Sequence, residues 1–451
     1  MRHAPPAYQA ALDYIYSFVN YEAKMPPSPE HAHFNLERMR WLLHELGEPQ
    51  LAFPSVVVAG TKGKGSTCAM LEAILRASGY KTGLFSSPHL HSWRERIQVD
   101  RMLISQSEVI ARVEQLKPLV QRLNQYGEPT VFELATVLAL RYFADQKIDI
   151  AVLEIGMGGR YDTVNVVTPR VSVITPISFD HMAVLGNTLS EIAAAKAGII
   201  KPHVPVVIAP QSPEAVAVIR AEATAQHAPL YLAEPDGLRA LLDDDGQPAQ
   251  QNMWQRPYPV PINNDTVSMR GAHQRDNART AVATALLLRD NGIIVPDVSM
   301  AEGLRTTFWP GRFEILAQQP TIVVDGAMNG ASAARLREAL STLPQKRLIL
   351  VFGSSRDKDI AALARALVPG AAAVVLTRSY HPRSASVELL AEHVGPLLAS
   401  PDVPLVVTDD IPPAIEQARQ LAKPDDLICV TGSLFVVAAA REALGAASEI
   451  D

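Results

Sequence analysis

Cysteine is scarce in this 451-residue chain: Cys68 and Cys429 are the only two, far apart and without a Cys-x-x-Cys spacing. That disfavours a disulfide framework and a zinc site, and a reducing cytoplasm is the expected setting. A basic excess is lacking as well, since 41 Lys and Arg stand against 47 Asp and Glu, a net charge of -6. The expected partners are therefore small molecules, with no nucleic acid. No segment approaches the ~20 apolar residues of a membrane span. The start, Met1-Arg2-His3-Ala4-Pro5-Pro6, has no apolar signal core, so a soluble protein without a membrane partner is expected. No Asn-Lys-x-Asp guanine motif is present, which argues against a GTP-operated switch, and no internal repeat is evident.

What is present is hydrophobic substance, 48% of the chain, enough for two domains. Short β-rich runs alternate with helical patterns, which is α/β logic. Ser55 to Ala59, Ile150 to Ile155, Val171 to Thr175 and Val204 to Ala209 read as buried strands. A second alternation follows Trp309-Pro310-Gly311-Arg312, with strands at Thr321 to Val324, Arg347 to Phe352, Ala372 to Leu376, Leu405 to Thr408 and Leu427 to Val430. Gly and Pro punctuation between Gly292 and Pro310 marks the joint, dividing the chain into 1–305 and 306–451. Capping boxes are expected at Ser105 with Glu108 and at Thr188 with Glu191. After the phosphate loop described below, a helix should present Leu71, Ile74 and Leu75 on one face and stop at Gly79. The stretch from Asp236 to Asn264, acidic and then rich in Pro, Gln and Asn, reads as a surface excursion.

Gly60-Thr61-Lys62-Gly63-Lys64-Gly65-Ser66-Thr67 follows the first strand and opens a helix. Strand, glycine turn and helix in that order make an anion site, because N–H groups and the positive helix end converge on phosphate. The loop is a variant of the usual phosphate-loop motif: Val58 takes the first glycine place, and Gly65 intervenes before Ser66. Lys64 would neutralise phosphate charge, and Ser66 or Thr67 would offer magnesium a hydroxyl. The plainer alternative is a glycine-rich turn.

Glu154 ends a strand ahead of Gly156-Met157-Gly158-Gly159-Arg160, at the sheet edge where open α/β sheets bind ligands. A carboxylate there is the hard oxygen donor that magnesium prefers; otherwise it would cap the next turn. Downstream stand Asp180-His181-Met182 and, on a capped helix, Lys196. On spacing alone, such a histidine and lysine are ordinary structural residues.

These segments resemble the folylpolyglutamate synthase and dihydrofolate synthase family, part of the Mur ligase superfamily. The similarity starts at Phe34-Asn35-Leu36-Glu37-Arg38-Met39 with Leu46-Gly47 and takes in the phosphate loop. It continues through Ser86-Ser87-Pro88-His89-Leu90, Glu95-Arg96-Ile97, Thr130-Val131-Phe132-Glu133, Glu154 to Asn165 and Asp180 to Lys201. His273-Gln274 with Asn277, Pro310-Gly311-Arg312-Phe313-Glu314, Asp325-Gly326-Ala327 and Gly432-Ser433-Leu434 complete it. The resemblance implies a P-loop ATPase-type N-terminal domain with a mostly parallel sheet, followed by a smaller Rossmann-like α/β domain. It implies ATP as co-substrate, and two magnesium ions held by Ser66, Ser87, Glu154, His181 and Lys196, the lysine carbamylated. Lys64, Lys196 and His181 would be catalytic. ATP would be held by Gly60 to Thr67 and by Asn277, Arg312 and Asp325, the last two reaching in from the second domain, so that closure assembles the site. Thr130, Phe132, Glu133 and Ser433 would bind substrate, Phe132 lying against a flat ring; Thr130 and Glu133 also fit a capping box. The family reaction phosphorylates a carboxylate of dihydropteroate or a folate, and the amine of L-glutamate then displaces phosphate. A monomeric enzyme is expected.

One segment departs from the family. Asp325-Gly326-Ala327-Met328-Asn329-Gly330 stands where the family commonly has Asp-Gly-Ala-His-Asn-Pro, and methionine brings neither the charge nor the donor of histidine. Either His381, Arg378 or Ser433 takes over that contact, or the amino-acid acceptor differs. Asp357-Lys358-Asp359 reads equally as a catalytic turn or a charged helix start. A nucleotide-binding protein without ligase activity and a cell-wall Mur ligase acting on a UDP-sugar are the competing alternatives.

Overall fold

The computed structural model describes residues 5–22, 36–123, 126–243, 247, 255–447 and 450–451, with Gln255 described by its backbone. Met1 to Ala4, Phe34, Asn35 and most of 244–254 lie outside the described residues. The chain forms two compact units: residues up to His89 with Trp93–Ser268 and Gln274–Thr307, and Leu90–Ser92 with Met269–His273 and Phe308–Asp451.

Among the described residues, the first unit has a 10-stranded sheet. Its strands are β1 (Ser55–Ala59), β2 (Thr82–Phe85), β3 (Ile97–Val99), β4 (Met102–Leu103), β5 (Ile150–Glu154), β6 (Val171–Ile174), β7 (Val206–Ile208), β8 (Leu230–Glu234), β9 (Gly237–Leu242) and β10 (Gln255–Arg256). They lie in the order β10-β9-β8-β7-β6-β1-β5-β2-β3-β4. The stretch β8 to β2 is parallel and the flanks are antiparallel. Strands β1, β5 and β6 are buried along their whole length, as near-continuous apolar runs covered on both faces should be. Val58 pairs with Glu154 and Ala59 with Ile174, so the loops after β1, β5 and β6 leave the sheet at one level.

The helices of this unit are α1 (Pro6–Tyr16), α2 (Leu36–Glu45), α3 (Lys64–Ala77), α4 (Gln106–Gln121), α5 (Val131–Asp145), α6 (Met182–Leu185), α7 (Leu189–Ala197), α8 (Pro213–Ala225), α9 (Ala272–Asp290, from Gln274 onward) and α10 (Asp297–Thr306). The one-sided apolar face expected on α3 understates its burial. Every residue from Ser66 to Leu75 is buried, and at Gly303 of α10 a Cβ would fall 2.5 Å from the Ile74 backbone. A second helical layer thus covers the side expected to face water. Thr188 with Glu191 and Thr130 with Glu133 close full capping boxes, whereas Ser105 receives the Glu108 N–H without a return bond from its carboxylate. The excursion expected from Asp236 is also corrected: β9 and β10 extend the sheet, because Leu238, Leu241 and Leu242 find apolar cover.

The second unit is a doubly wound α/β layer. Its strands β11 (Glu314–Ala317), β12 (Thr321–Asp325), β13 (Leu348–Phe352), β14 (Ala373–Leu376), β15 (Leu405–Val407) and β16 (Leu427–Thr431) lie in the order β11-β12-β16-β13-β14-β15, all parallel but β11. On one face pack α11 (Gly330–Ser341), α12 (Ile360–Leu367) and α13 (Val387–Val394); on the other pack α14 (Ile411–Leu421) and α15 (Leu434–Ala443). Alternation decides the sides: Val323 joins the first core, and Ile322 and Val324 the second.

Candidate active site

Glycine shapes the turn between β1 and α3. A Cβ on Gly60 (φ +143) would lie 1.8 Å from Thr175 Oγ1, and one on Gly63 (φ +86) would lie 2.3 Å from Asn277 Oδ1. Both positions exclude side chains, and the second brings Asn277 of α9 onto the loop. The loop's N–H groups then divide. Those of Thr61 and Lys62 donate to the Pro176 carbonyl at 3.0 and 3.2 Å, and that of Thr67 to Gly63 O at 2.8 Å. Lys64, Gly65 and Ser66 occupy the first helical turn, whose N–H groups have no intrahelical acceptor. The anion cradle therefore narrows to that turn, with the Lys64 side chain beside it. Thr67 is fully buried and its Oγ1 has no partner among the described residues, so Ser66 carries the more accessible hydroxyl.

Lys196 enters from α7. Its Nζ, almost wholly buried, donates to Gly60 O at 2.8 Å. Burial, and then the charge of Lys64, push its pKa down to about 7 against the pull of Asp180. Lys62 Nζ lies 3.6 Å from Asp180, and His181 follows in a left-handed conformation (φ +50), with Nε2 3.9 Å from Asp180 Oδ1. The hydroxyl of Thr61 exchanges two hydrogen bonds of 3.1 Å with the main chain of Ser178. The loops after β1 and β6 are thus fastened together.

Glu154 ends β5, and its Oε2 accepts the Ser87 N–H at 3.2 Å. Phe132, near the start of α5, faces the same edge: its ring centroid is 5.6 Å from that of Phe85, and a Cβ on Gly156 would lie 2.7 Å from its Cζ. Thr130 and Glu133 have structural employment. Glu133 closes the helix cap and takes a buried ion pair from Arg38 at 2.8 Å. Sequence reasoning missed Asp162. Its buried carboxylate accepts N–H groups from Gly156, Met157 and Val164 at 2.9 to 3.0 Å, and burial raises its pKa to about 6. Its position between a glycine run and a polar turn was the available signal.

Among the described residues, no three of His, Cys, Asp and Glu gather as a metal cluster. The donor chemistry still suits magnesium, because Glu154, Ser66 and Ser87 offer hard oxygens. Lys196 fits only with an oxygen-bearing group on its amine.

In the second unit, Asp325 ends β12 and spends both oxygens on the N–H groups of Phe313 and Ala327 at 2.9 Å. Burial raises its pKa while the Arg312 guanidinium opposes the shift. A Cβ on Gly326 would meet Arg312 Nη1 at 2.6 Å and Leu434 Cδ2 at 2.5 Å, which draws the loop after β12 towards the start of α15. There Ser433 caps the helix, accepting the Phe435 N–H at 3.1 Å, and the His381 ring stacks on Phe435 at 3.7 Å. His381 Nδ1 accepts the Arg383 N–H, so a neutral ring keeps its proton on Nε2; burial and then Arg383 lower its pKa. Arg378 is exposed, and Asp359 caps α12, as a charged helix start would. Glu314 binds Gly311 N and Arg441 and holds the Pro-Gly-Arg turn, a role not apparent in the sequence.

Comparison with known proteins gives the family and the fold. Residues 58–285 match the Mur ligase middle domain, and residues 311–434 match the Mur ligase glutamate ligase domain. The chain is 34% identical over 445 residues to the dihydrofolate synthase/folylpolyglutamate synthase of Bacillus subtilis, covering 97% of this chain and 99% of that protein. Its fold superposes on Mycobacterium tuberculosis folylpolyglutamate synthase complexed with ADP with a TM-score of 0.82, at 30% identity and covering 97% and 98% of the two chains. Against the bifunctional Yersinia pestis enzyme complexed with AMPPNP and a Mn ion, the TM-score is 0.79 at 29% identity, with 98% and 100% covered.

Proposed function

The chain belongs to the folylpolyglutamate synthase and dihydrofolate synthase family of the Mur ligase superfamily and is an ATP-dependent folate–glutamate ligase, and on that premise we propose how its residues divide the work. Residues 1–305 bind ATP and the pterin substrate, and residues 306–451 bring glutamate. The N–H groups at the start of α3 and the Lys64 ammonium hold the terminal phosphates, with Asn277, Arg312 and Asp325 as further nucleotide contacts. The pterin-borne substrate lies against Phe132. Its carboxylate oxygen attacks the γ-phosphorus as ADP leaves; the neutral amine of glutamate then attacks the acyl carbon, and phosphate departs with the formation of the amide. Holding the reactants in line and balancing charge is most of what such a reaction needs.

Divalent metal at two sites, held by Ser66, Ser87, Glu154, His181 and a carbamylated Lys196, would when bound neutralise charge on the phosphates. Carbamylation is favoured by the burial of Lys196, which leaves much of its amine neutral near pH 7 and so able to add to CO₂ with loss of a proton. The observation that supports this assignment is the approach of Lys196 Nζ to Gly60 O at 2.8 Å, on the glycine turn that leads into α3. Met328 supports a second interpretation, an acceptor other than L-glutamate.

The enzyme is proposed to work as a monomer. ADP release measured with dihydropteroate and with tetrahydrofolate, each with and without L-glutamate, followed by mass analysis of the product and sedimentation of the enzyme, tests the whole scheme. ADP release that needs both the pterin substrate and L-glutamate is expected. Release independent of the pterin substrate would overturn the scheme.

A further inference from the structure

We propose that Gln211, on the loop between β7 and α8, is a positioning residue for the phosphate loop. One amide satisfies three main-chain groups: Nε2 donates to Ile174 O at 3.3 Å and to Thr175 O at 3.0 Å, while Oε1 accepts the Ile177 N–H at 2.9 Å. These groups bracket Pro176, which has no N–H of its own. The carbonyl of Pro176 is the acceptor for both Thr61 and Lys62.

The segment from Thr175 to Ser178 is thereby a strap laid along the phosphate loop. Thr175 N donates to Ala59 O at 2.8 Å, Thr175 Oγ1 closes over Gly60, and Ser178 exchanges its bonds with the Thr61 hydroxyl. The strap turns two loop N–H groups towards Pro176 and leaves the helix-start N–H groups for phosphate. Gln211 sets where that carbonyl stands. Replacing its amide with an apolar chain takes the partner from the Thr175 carbonyl and the Ile177 N–H, while Ile174 O keeps the Ala209 N–H at 3.0 Å, and the strap then shifts or loosens. Gln211 touches neither nucleotide nor acceptor in this scheme; its effect passes through Pro176.

The proposal rests on ATP binding at this loop, so the test separates the two. Full-length Gln211→Met and Gln211→Glu variants are compared with Lys64→Ala for affinity towards AMPPNP by calorimetry, and for the KM of ATP and of the pterin substrate. Gln211→Met should weaken AMPPNP and raise the KM of ATP by between about tenfold and a hundredfold, with the pterin KM unchanged. Gln211→Glu keeps the Ile177 contact but sets an anion against two carbonyls, and should do at least as much harm. Should the Met variant fail to fold, Gln211→Asn, which withdraws the amide by one methylene, is judged by the same expectation. A lowered Tm with nucleotide affinity intact would make Gln211 merely structural and overturn the proposal. Lys64→Ala with undiminished affinity would instead remove the phosphate-loop premise itself.

Discussion

Lys196 Nζ stands 2.8 Å from the carbonyl oxygen of Gly60, across 136 residues of sequence. The pull of Asp180 and Asp162 does not balance the burial of this lysine, whose pKa still falls to about 7. The cost is borne at Gly60, where the glycine turn that leads to the helix-start N–H groups begins. Functional sites are where perturbed ionisation is concentrated.

Lys196→Met keeps most of the side-chain volume and removes the amine. ADP release should fall by about a hundredfold or more, the scale of losing one group that stabilises developing charge. Thermal unfolding should show Tm preserved. Wild-type enzyme depleted of CO₂ should lose activity and regain it with bicarbonate, whereas the variant should not respond. Full turnover by Lys196→Met would remove the residue from the mechanism.

Asp162 gives a pH signature. Its folded pKa of about 6 lies above the ordinary 3.8, so between those values the folded chain keeps a proton that the unfolded chain has released. Stability from this group is complete below pH 3.8 and is lost as pH rises through 6, a change of about 3 kcal/mol. Asp162→Asn has no such proton. The difference in urea-unfolding free energy between wild type and variant should therefore fall by about that amount from pH 4 to pH 7, and a flat difference would contradict the assignment.

Much of this site was legible because its local rules are strict. The buried strand Ser55–Ala59, the glycines that follow and the helix beyond point to an anion site from spacing alone, and β5 ends on Glu154 as its apolar run requires. The parallel strands β12 to β16 of the second unit were legible for the same reason, whereas the antiparallel edge strand β11 was not read from the sequence. The use made of individual N–H groups was not: Pro176 and Gln211 act through main-chain atoms, which every residue possesses. Residues 237–242 were misjudged because their neighbours Asp236 and Asp243 to Asp245 dominate the composition, while the strand pairing that buries Leu238 and Leu242 is supplied from β8. The burial of α3 depended on α10, more than 200 residues away, which no local periodicity can report.

Gly156→Ala probes the ring at the β5 edge. The added methyl would enter the space of the Phe132 ring, 2.7 Å from Cζ, and Phe132 is backed by Phe85. The ring must therefore turn. The KM of the pterin substrate should rise by about tenfold, the scale of one lost aromatic contact, while the KM of ATP stays near its wild-type value. Phe132→Leu should act in the same direction without adding bulk. Equal effects on both KM values would mean that the loop after β5, rather than the ring, had been disturbed.

Met328→His restores the donor that the family commonly places beside Asp325-Gly326-Ala327. Met328 N donates to Ser332 Oγ and is followed by Asn329, whose box with Ser332 fixes the start of α11, so the main chain should accept the imidazole without repacking. If an acceptor contact has been lost here, the KM for L-glutamate should fall by about fivefold to tenfold, the scale of one hydrogen bond to a charged group. If His381 has assumed that task, its Nε2–H is the donor, and His381→Ala should raise the same KM in a background where Met328→His has little effect. The two substitutions measured singly and together distinguish these cases, because residues sharing one ligand group couple and independent ones add. No change in either variant, together with turnover of a different amino acid, would favour the altered acceptor over the shifted contact.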